Sequence, residues 1–284
     1  MILVTGGSGR VGREVVRLLA ARSVGVRVMV RDVSRVRGVG SGGEVVAGDF
    51  GDPGSLERAL AGVVRVFLCT SRVGAGDDER FVRAACGAGV RHVVKVSAAA
   101  VEDGGADDLI TRWQRANEEL LWGCGLGWTV LRPRSFMSNA LSWAGSVAGE
   151  GVVRALYGGS ANACVDPRDV AAVAVCALTE DGHEGRVHTL TGPRPVTAVE
   201  QAAELGRLLG RPLRFEELSP AGARALLLER CPPEIVEALL ASAERQRAGA
   251  KAGVRDTVLR LTGRPPRPFA AWAADHLEAF GRQS

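Results

Sequence analysis

Tyrosine occurs once in this 284-residue chain and lysine twice. The one phenol is Tyr157, so chemistry that needs a tyrosine anywhere else is excluded. The lysines are Lys95 and Lys251, and the remaining positive charge is arginine, a bias of composition that makes Lys95 conspicuous. The net charge of +4 is dispersed, with no basic run, so nothing favours nucleic-acid binding. Cys69, Cys86, Cys124, Cys164, Cys176 and Cys231 include no Cys-x-x-Cys pair and no His/Cys ligand spacing. No metal site is therefore expected, and the thiols read as buried and reduced, as in a cytoplasmic protein. No apolar run nears the length of a membrane span, and the chain opens on a strand rather than a basic-then-apolar leader. A cytoplasmic location away from membranes is the expectation, as monomer or homodimer.

What is present begins at once. Ile2-Leu3-Val4-Thr5 is a short apolar, mostly β-branched run that meets glycines 6, 9 and 12, and Arg13–Leu19 then repeats at helical spacing. Strand, glycine turn and helix form a dinucleotide-binding unit. One glycine makes the tight turn, one admits the pyrophosphate to backbone N–H groups, and one lets helix and strand pack closely. The anion then sits at the helix N-terminus. Gly6, Ser8, Gly9, Arg10, Val11 and Gly12 are the expected contacts. Val26–Val30 reads as the second strand, ending in Arg31-Asp32. An acidic tip residue suits the ribose 2′-OH of NAD, and an arginine suits the 2′-phosphate of NADP. Arg31, with Arg10 and Arg35 nearby, favours NADP(H) over NAD(H), although Asp32 still faces the ribose on the other reading.

A third strand over 45–49 ends at Asp49, placed to meet an adenine amino group beside Phe50. Asp52-Pro53 starts a helix through Leu60. The apolar run Val63–Thr70 is a fourth strand buried on both faces, its end at Cys69 and Thr70 lining the riboses. A helix spans 77–89. The fifth strand, Val90–Ala98, sets Lys95 and Ser97 on one face, with Ser97 nearest the ligand end. Lys95 is costly to bury unpaired, so it either reaches the crevice or meets a carboxylate such as Glu118. His92 reads as a strand-entry residue with a satisfied hydrogen bond. The helix over 108–122 places Gln114 and Glu118 on one face. A sixth strand ends at Pro133, and Arg134–Asn139 is the expected floor of a substrate pocket. Trp113, Trp122, Trp128 and Trp143 all fall between 113 and 143, which suggests an aromatic-walled cavity, or else ordinary core filling. Trp113, Gln114, Phe136, Met137, Asn139 and Trp143 are the candidate substrate contacts, with Pro133 and Phe136 also beside the cofactor.

Beyond 140 the pattern loosens. An apolar helix follows Asp166-Pro167, a short strand covers 187–192, and helices over 199–209 and within 220–248 flank a possible strand at 213–218. A last helix follows the proline-rich loop 263–269. The alternation of strand and helix over the first ~130 residues predicts an α/β fold with a doubly wound parallel sheet. Residues 1–133 form the cofactor core, and 134–284 form a smaller α/β substrate region, of which about 163–192 packs back on the core.

Val4-Thr5-Gly6-Gly7-Ser8-Gly9-Arg10-Val11-Gly12, Val30-Arg31-Asp32, Gly48-Asp49 and His92–Ala98 resemble the NmrA-like group of atypical short-chain dehydrogenases. So do Leu131-Arg132-Pro133, Phe136–Asn139, Val165–Val170, Thr189–Pro193 and Leu261–Pro266, so the likeness spans nearly the whole chain. It implies an NADP-binding Rossmann core with a C-terminal substrate region. The group holds quinone and imine reductases as well as redox sensors. Ordinary short-chain reductases use Tyr-x-x-x-Lys on the helix after the fifth strand, the tyrosine protonating the carbonyl oxygen. Taking Glu118-x-Leu120 as register, Ile110 stands at the tyrosine and Gln114 at the lysine, where many relatives have histidine.

An NADPH-dependent reductase of a quinone-like, imine or other aromatic small molecule is the resulting expectation. Lys95 would act as electrostatic stabiliser and Ser97 as donor to the developing oxyanion. A non-catalytic NADP-binding sensor, or a redox-neutral biosynthetic enzyme on the same fold, are the alternatives.

Overall fold

The computed structural model describes residues 1–36, 38–40 and 42–281. Strands β1 (Ile2–Thr5), β2 (Val26–Val30) and β3 (Glu44–Ala47) enclose helix α1 (Arg10–Ala21). Then follow α2 (Pro53–Leu60), β4 (Arg65–Leu68), α3 (Asp77–Gly87), β5 (His92–Val96), α4 (Leu109–Trp122) and β6 (Gly127–Pro133). The later half contributes α5 (Ala144–Glu150), β7 (Val152–Ala155), α6 (Pro167–Thr179), β8 (Arg186–Leu190), α7 (Ala198–Leu208) and β9 (Arg214–Glu217). The last elements are α8 (Pro220–Leu228), α9 (Pro233–Arg247), α10 (Thr257–Thr262) and α11 (Phe269–Asp275).

Seven parallel strands in the order β3-β2-β1-β4-β5-β6-β8 make the main sheet, and β7 pairs with β9 outside it. The order reverses between β1 and β4, which opens a crevice at their C-terminal ends. Period-2 alternation divides the core. Ile2, Val4, Phe67, Val94 and Leu131 face α1 and α6, while Leu3, Val66, Leu68, Val93 and Val130 face α2, α3 and α4. Covering both faces explains the unbroken apolar runs. Helix α1 buries Val11, Val15, Val16 and Leu19 at helical spacing, and α6 lies against it. The fold is the expected doubly wound α/β sheet. A third apolar cluster, around Phe269, Trp272 and Phe280, lies among the later elements of the chain.

Several elements differ from expectation. Strands β3, β4 and β5 stop two residues or so early, because Asp49, Cys69-Thr70 and Ser97-Ala98 lie past the last ladder pairs, on the rim. Helix α5 and strand β7 have little periodic signal: α5 buries only Val147 and ends at Gly151, whose φ of +69° needs glycine. Only Cys164 and Cys176 are buried, and Cys86 is exposed; all six thiols are free. Among the described residues no helix is long and apolar enough to cross a membrane, and no three His, Cys, Asp or Glu side chains cluster as metal ligands.

Candidate active site

The glycine turn is tighter than its spacing suggests. Gly6 has φ +65°, and its carbonyl accepts from the Gly9 N–H at 2.8 Å. A Cβ on Gly12 would lie 2.2 Å from that carbonyl oxygen. Gly7, outside the motif glycines, is equally constrained: its Cβ would sit 2.2 Å from Val28 Cγ1. The first bond into α1 is Arg13 N–H to the Gly9 carbonyl at 3.0 Å, so the N–H groups of Arg10, Val11 and Gly12 precede the ladder. Those groups and the helix dipole suit a pyrophosphate. Val11's side chain is core, Gly12 is buried, and Arg10 is exposed.

The crevice beside this turn has a volume of about 260 Å³ and is lined by Gly6, Ser8, Gly9, Arg31, Asp49, Phe50, Cys69 and Thr70. Met29, Val30, Ser71, Arg72 and Asp77 join them, unheralded in the sequence. Arg31 lines the crevice, whereas the exposed Asp32 is tied to its own turn, accepting from Ser34 N–H at 3.0 Å and Ser34 Oγ at 2.7 Å. These hydrogen bonds hold its carboxyl below the usual value. Arg35 lines a different hollow with Arg13 and Arg17. Asp49 accepts from Gly51 N–H at 2.7 Å and has Arg72 Nη2 at 3.6 Å. The donors and the close-packed glycine cradle fit a dinucleotide, with Arg31 at the rim of the crevice.

Lys95 is fully buried, and its Nζ lies 2.5 Å from Asp78 Oδ1 rather than near Glu118. Asp78 also accepts from Thr70 Oγ1 at 2.7 Å and Asn117 Nδ2 at 3.1 Å. Lys95 is thus linked to the crevice rim through Asp78 and Thr70. Glu118 instead accepts from Ser97 Oγ at 2.5 Å and pairs with Arg132. The Ser97 hydroxyl proton is committed to that carboxylate, which leaves no free donor for an oxyanion. His92 Nε2 meets Thr129 Oγ1 at 2.9 Å, as expected of a satisfied strand residue.

A second cavity, about 280 Å³, opens at the C-terminal ends of β5 and β6. Ser97, Ala98, Ala99, Ile110, Pro133, Phe136 and Asn139 line it from the core side, and Ala238, Leu239, Ser242, Arg245 and Lys251 line it from α9 and the loop beyond. Arg245 clamps this roof to the core: its Nη2 donates to Asp108 Oδ2 at 2.6 Å and its Nε lies 3.5 Å from Asp103. Asp108 caps α4 through Thr111 N–H at 3.0 Å. Burial works against the Asp108 carboxylate, and its bonds from Thr111 and Arg245 more than offset this, holding it below its usual value.

The aromatic wall is absent. Trp122 and Trp128 pair with each other at 5.7 Å at the opposite end of α4 and β6, and Trp143 packs on the C-terminal core. Trp113 stands 6.0 Å from Lys95 Nζ and is no part of the cavity lining. Met137 is buried and faces a separate hollow with Cys164, Arg194 and Phe269. Gln114 is buried with its Oε1 unpartnered. Tyr157 is remote, its hydroxyl on Glu244 of α9 and its ring under Arg247.

Residues 6–181 match a family model described as NAD(P)H-binding. The chain is 57% identical over 280 residues, 99% of each chain, to (4-alkanoyl-5-oxo-2,5-dihydrofuran-3-yl)methyl phosphate reductase of Streptomyces griseus. The chain belongs to the NAD(P)H-binding, NmrA-like group of atypical short-chain dehydrogenases. This NmrA-like protein is also 36% identical over 286 residues, 99% of each chain, to an NAD(P)H azoreductase of Xenophilus azovorans. The Escherichia coli NADPH-dependent quinone oxidoreductase, solved with NADPH, superposes with a TM-score of 0.85 at 28% identity, covering 98% of this chain and all of that one. The protein is an NADP(H)-binding, NADPH-dependent reductase.

Proposed function

We propose that this reductase saturates a carbon–carbon double bond conjugated to carbonyl groups in a small acyl lactone. The observation that carries the reading is Ile110: the position that would hold a tyrosine acid presents an apolar side chain to the cavity. A ketone cannot easily accept hydride there, because its alkoxide needs a proton as it forms. A conjugated alkene can. Bound NADPH supplies a hydride. On such an alkene that hydride would go to the β-carbon and the π electrons to the α-carbon and its carbonyl oxygens, a solvent proton then completing the C–H bond at the α-carbon. Where the α-carbon carries both a lactone and an acyl carbonyl, the enolate is spread over two oxygens and needs no strong acid beside it.

This chain's part is orientation. Pro133 and Phe136 line the cavity, Ser97 is fixed by Glu118, and Lys95 positions Thr70 through Asp78. Small apolar residues, Ala98, Ala99, Ile110, Ala238 and Leu239, suit an alkyl chain better than a stack of aromatic rings. The substrate named for the S. griseus relative, a lactone with an alkanoyl group on a ring double bond, matches this chemistry. On this reading residues 1–133 hold the cofactor and supply one wall of the substrate cavity, and 134–284 complete it, with α6 and β8 returned to the core.

The test is NADPH consumption at 340 nm with an alkanoyl butenolide, a simple quinone, a cyclic imine and an unconjugated ketone. The butenolide is expected to be reduced with the highest kcat/KM and the ketone not at all. Preference for the imine or the ketone would overturn the assignment.

A further inference from the structure

We propose that Arg134 and Lys251, supported by Arg245, form an anion subsite in the cavity at the ends of β5 and β6 that holds a phosphate monoester of the substrate. The inference rests on the reading above and specifies which group of the substrate these side chains hold.

Three cations line this cavity against one carboxylate, Asp108, and that carboxylate is already shared between Thr111 and Arg245. The acidic neighbours are committed as well. Asp103 lies against Arg245, and Glu102 accepts from Thr189 and lies 3.8 Å from Arg132 and 3.9 Å from Arg255. Among the described residues neither Arg134 nor Lys251 has a carboxylate within ion-pair distance. Arg134 Nε is buried with no hydrogen-bond partner. Lys251 Nζ donates only to a neutral hydroxyl, Ser242 Oγ, at 2.7 Å.

Two partly desolvated cations held together without a carboxylate in direct contact are costly unless something anionic meets them. The backbone keeps them there. Arg134 N–H donates to the Leu190 carbonyl at 2.8 Å, and the Lys251 carbonyl accepts from Ala163 N–H at 2.9 Å. A guanidinium offers paired donors to a phosphate, and the ammonium adds a point charge. Of the two lysines in the chain, this one faces the cavity.

The charge state follows the same logic. Burial, then repulsion from Arg245 and Arg134, lowers Lys251 to about 8, with Asp108 opposing. Burial pushes Arg134 down too, with Arg255 adding repulsion and Glu102 and Asp103 opposing. A bound dianion reverses the repulsion and keeps Lys251 protonated. Affinity for a phosphate monoester should therefore rise as its second proton leaves near pH ~6 and fall as pH passes about 8.

Calorimetric titration with phenyl phosphate tests the subsite on protein saturated with NADP+, so that the dinucleotide crevice is already filled. Wild type is expected to bind, Lys251→Met and Arg134→Gln to bind roughly tenfold or more weakly, and Lys251→Arg to bind well but without the loss near pH 8. Lys251→Arg also serves should Lys251→Met fail to fold. Failure of wild type to bind, or equal affinity across the variants, would overturn the subsite. The butenolide assignment has a separate readout: turnover of the non-phosphorylated alkanoyl butenolide by the wild-type protein, followed at 340 nm, stands or falls independently of the titration.

Discussion

Lys95 and Asp78 form an ion pair sealed from solvent, Nζ 2.5 Å from Oδ1, beneath the crevice rim at Thr70. Neither charge is tolerable there alone. Lys95→Met should destabilise the fold by about 3–5 kcal/mol in urea unfolding, because it leaves a buried carboxylate unpaired. Asp78→Asn added to it should recover a large part of that loss. Equal destabilisation in single and double variants would show that the pair carries no coupling.

Arg31 faces the crevice while Asp32 is tied to Ser34. Arg31→Asp should weaken NADPH binding by roughly tenfold or more and leave NADH nearly unchanged, as followed by quenching of protein fluorescence. Equal losses for both cofactors would remove Arg31 from the ribose phosphate.

Gly7→Ala and Gly12→Ala place a Cβ at the same 2.2 Å, but against different neighbours. Gly7 meets the tip of Val28, so Val28→Ala should restore NADPH binding to Gly7→Ala. Gly12 meets the Gly6 carbonyl, and no side-chain change relieves that. Dissociation constants for the two variants and the double variant check the distinction.

His188 is buried and lowered to about 4 by burial, then by His183, Arg260 and Arg186. The unfolded chain takes up this proton near pH 6.5 and the folded chain does not. Stability is therefore full above about 6.5 and falls as pH drops towards about 4, by at most about 3 kcal/mol. His188→Asn should flatten that part of the profile in urea unfolding at several pH values. An unchanged slope would mean that His188 is protonated in the folded state.

Legibility in the sequence followed the strength of local signals. The glycine turn, the helix starts at Asp52, Asp108 and Asp166, and the apolar strands each carry their cause within a few residues; the helices start where expected, and the strands form there, with β3, β4 and β5 ending about two residues short. Glu118 and Lys95 are different. Which carboxylate meets which cation depends on how α3 and α4 sit over β5, and spacing along one strand cannot show it. Lys251 lies in a loop after α9 and reaches the cavity through tertiary packing, so its rarity in the composition was the one available hint. The tryptophans misled because closeness in sequence is not closeness in space: Trp122 and Trp128 sit at the far end of α4 and β6.

The most direct measurement of the central claim uses NADPH deuterated at the nicotinamide C4, incubated without oxygen with the phosphorylated alkanoyl butenolide, and the product analysed by NMR. Deuterium on the ring carbon β to both carbonyls, with the acyl ketone intact, is the predicted result. Deuterium on a carbinol carbon, or unreacted butenolide beside oxidised cofactor, would contradict it.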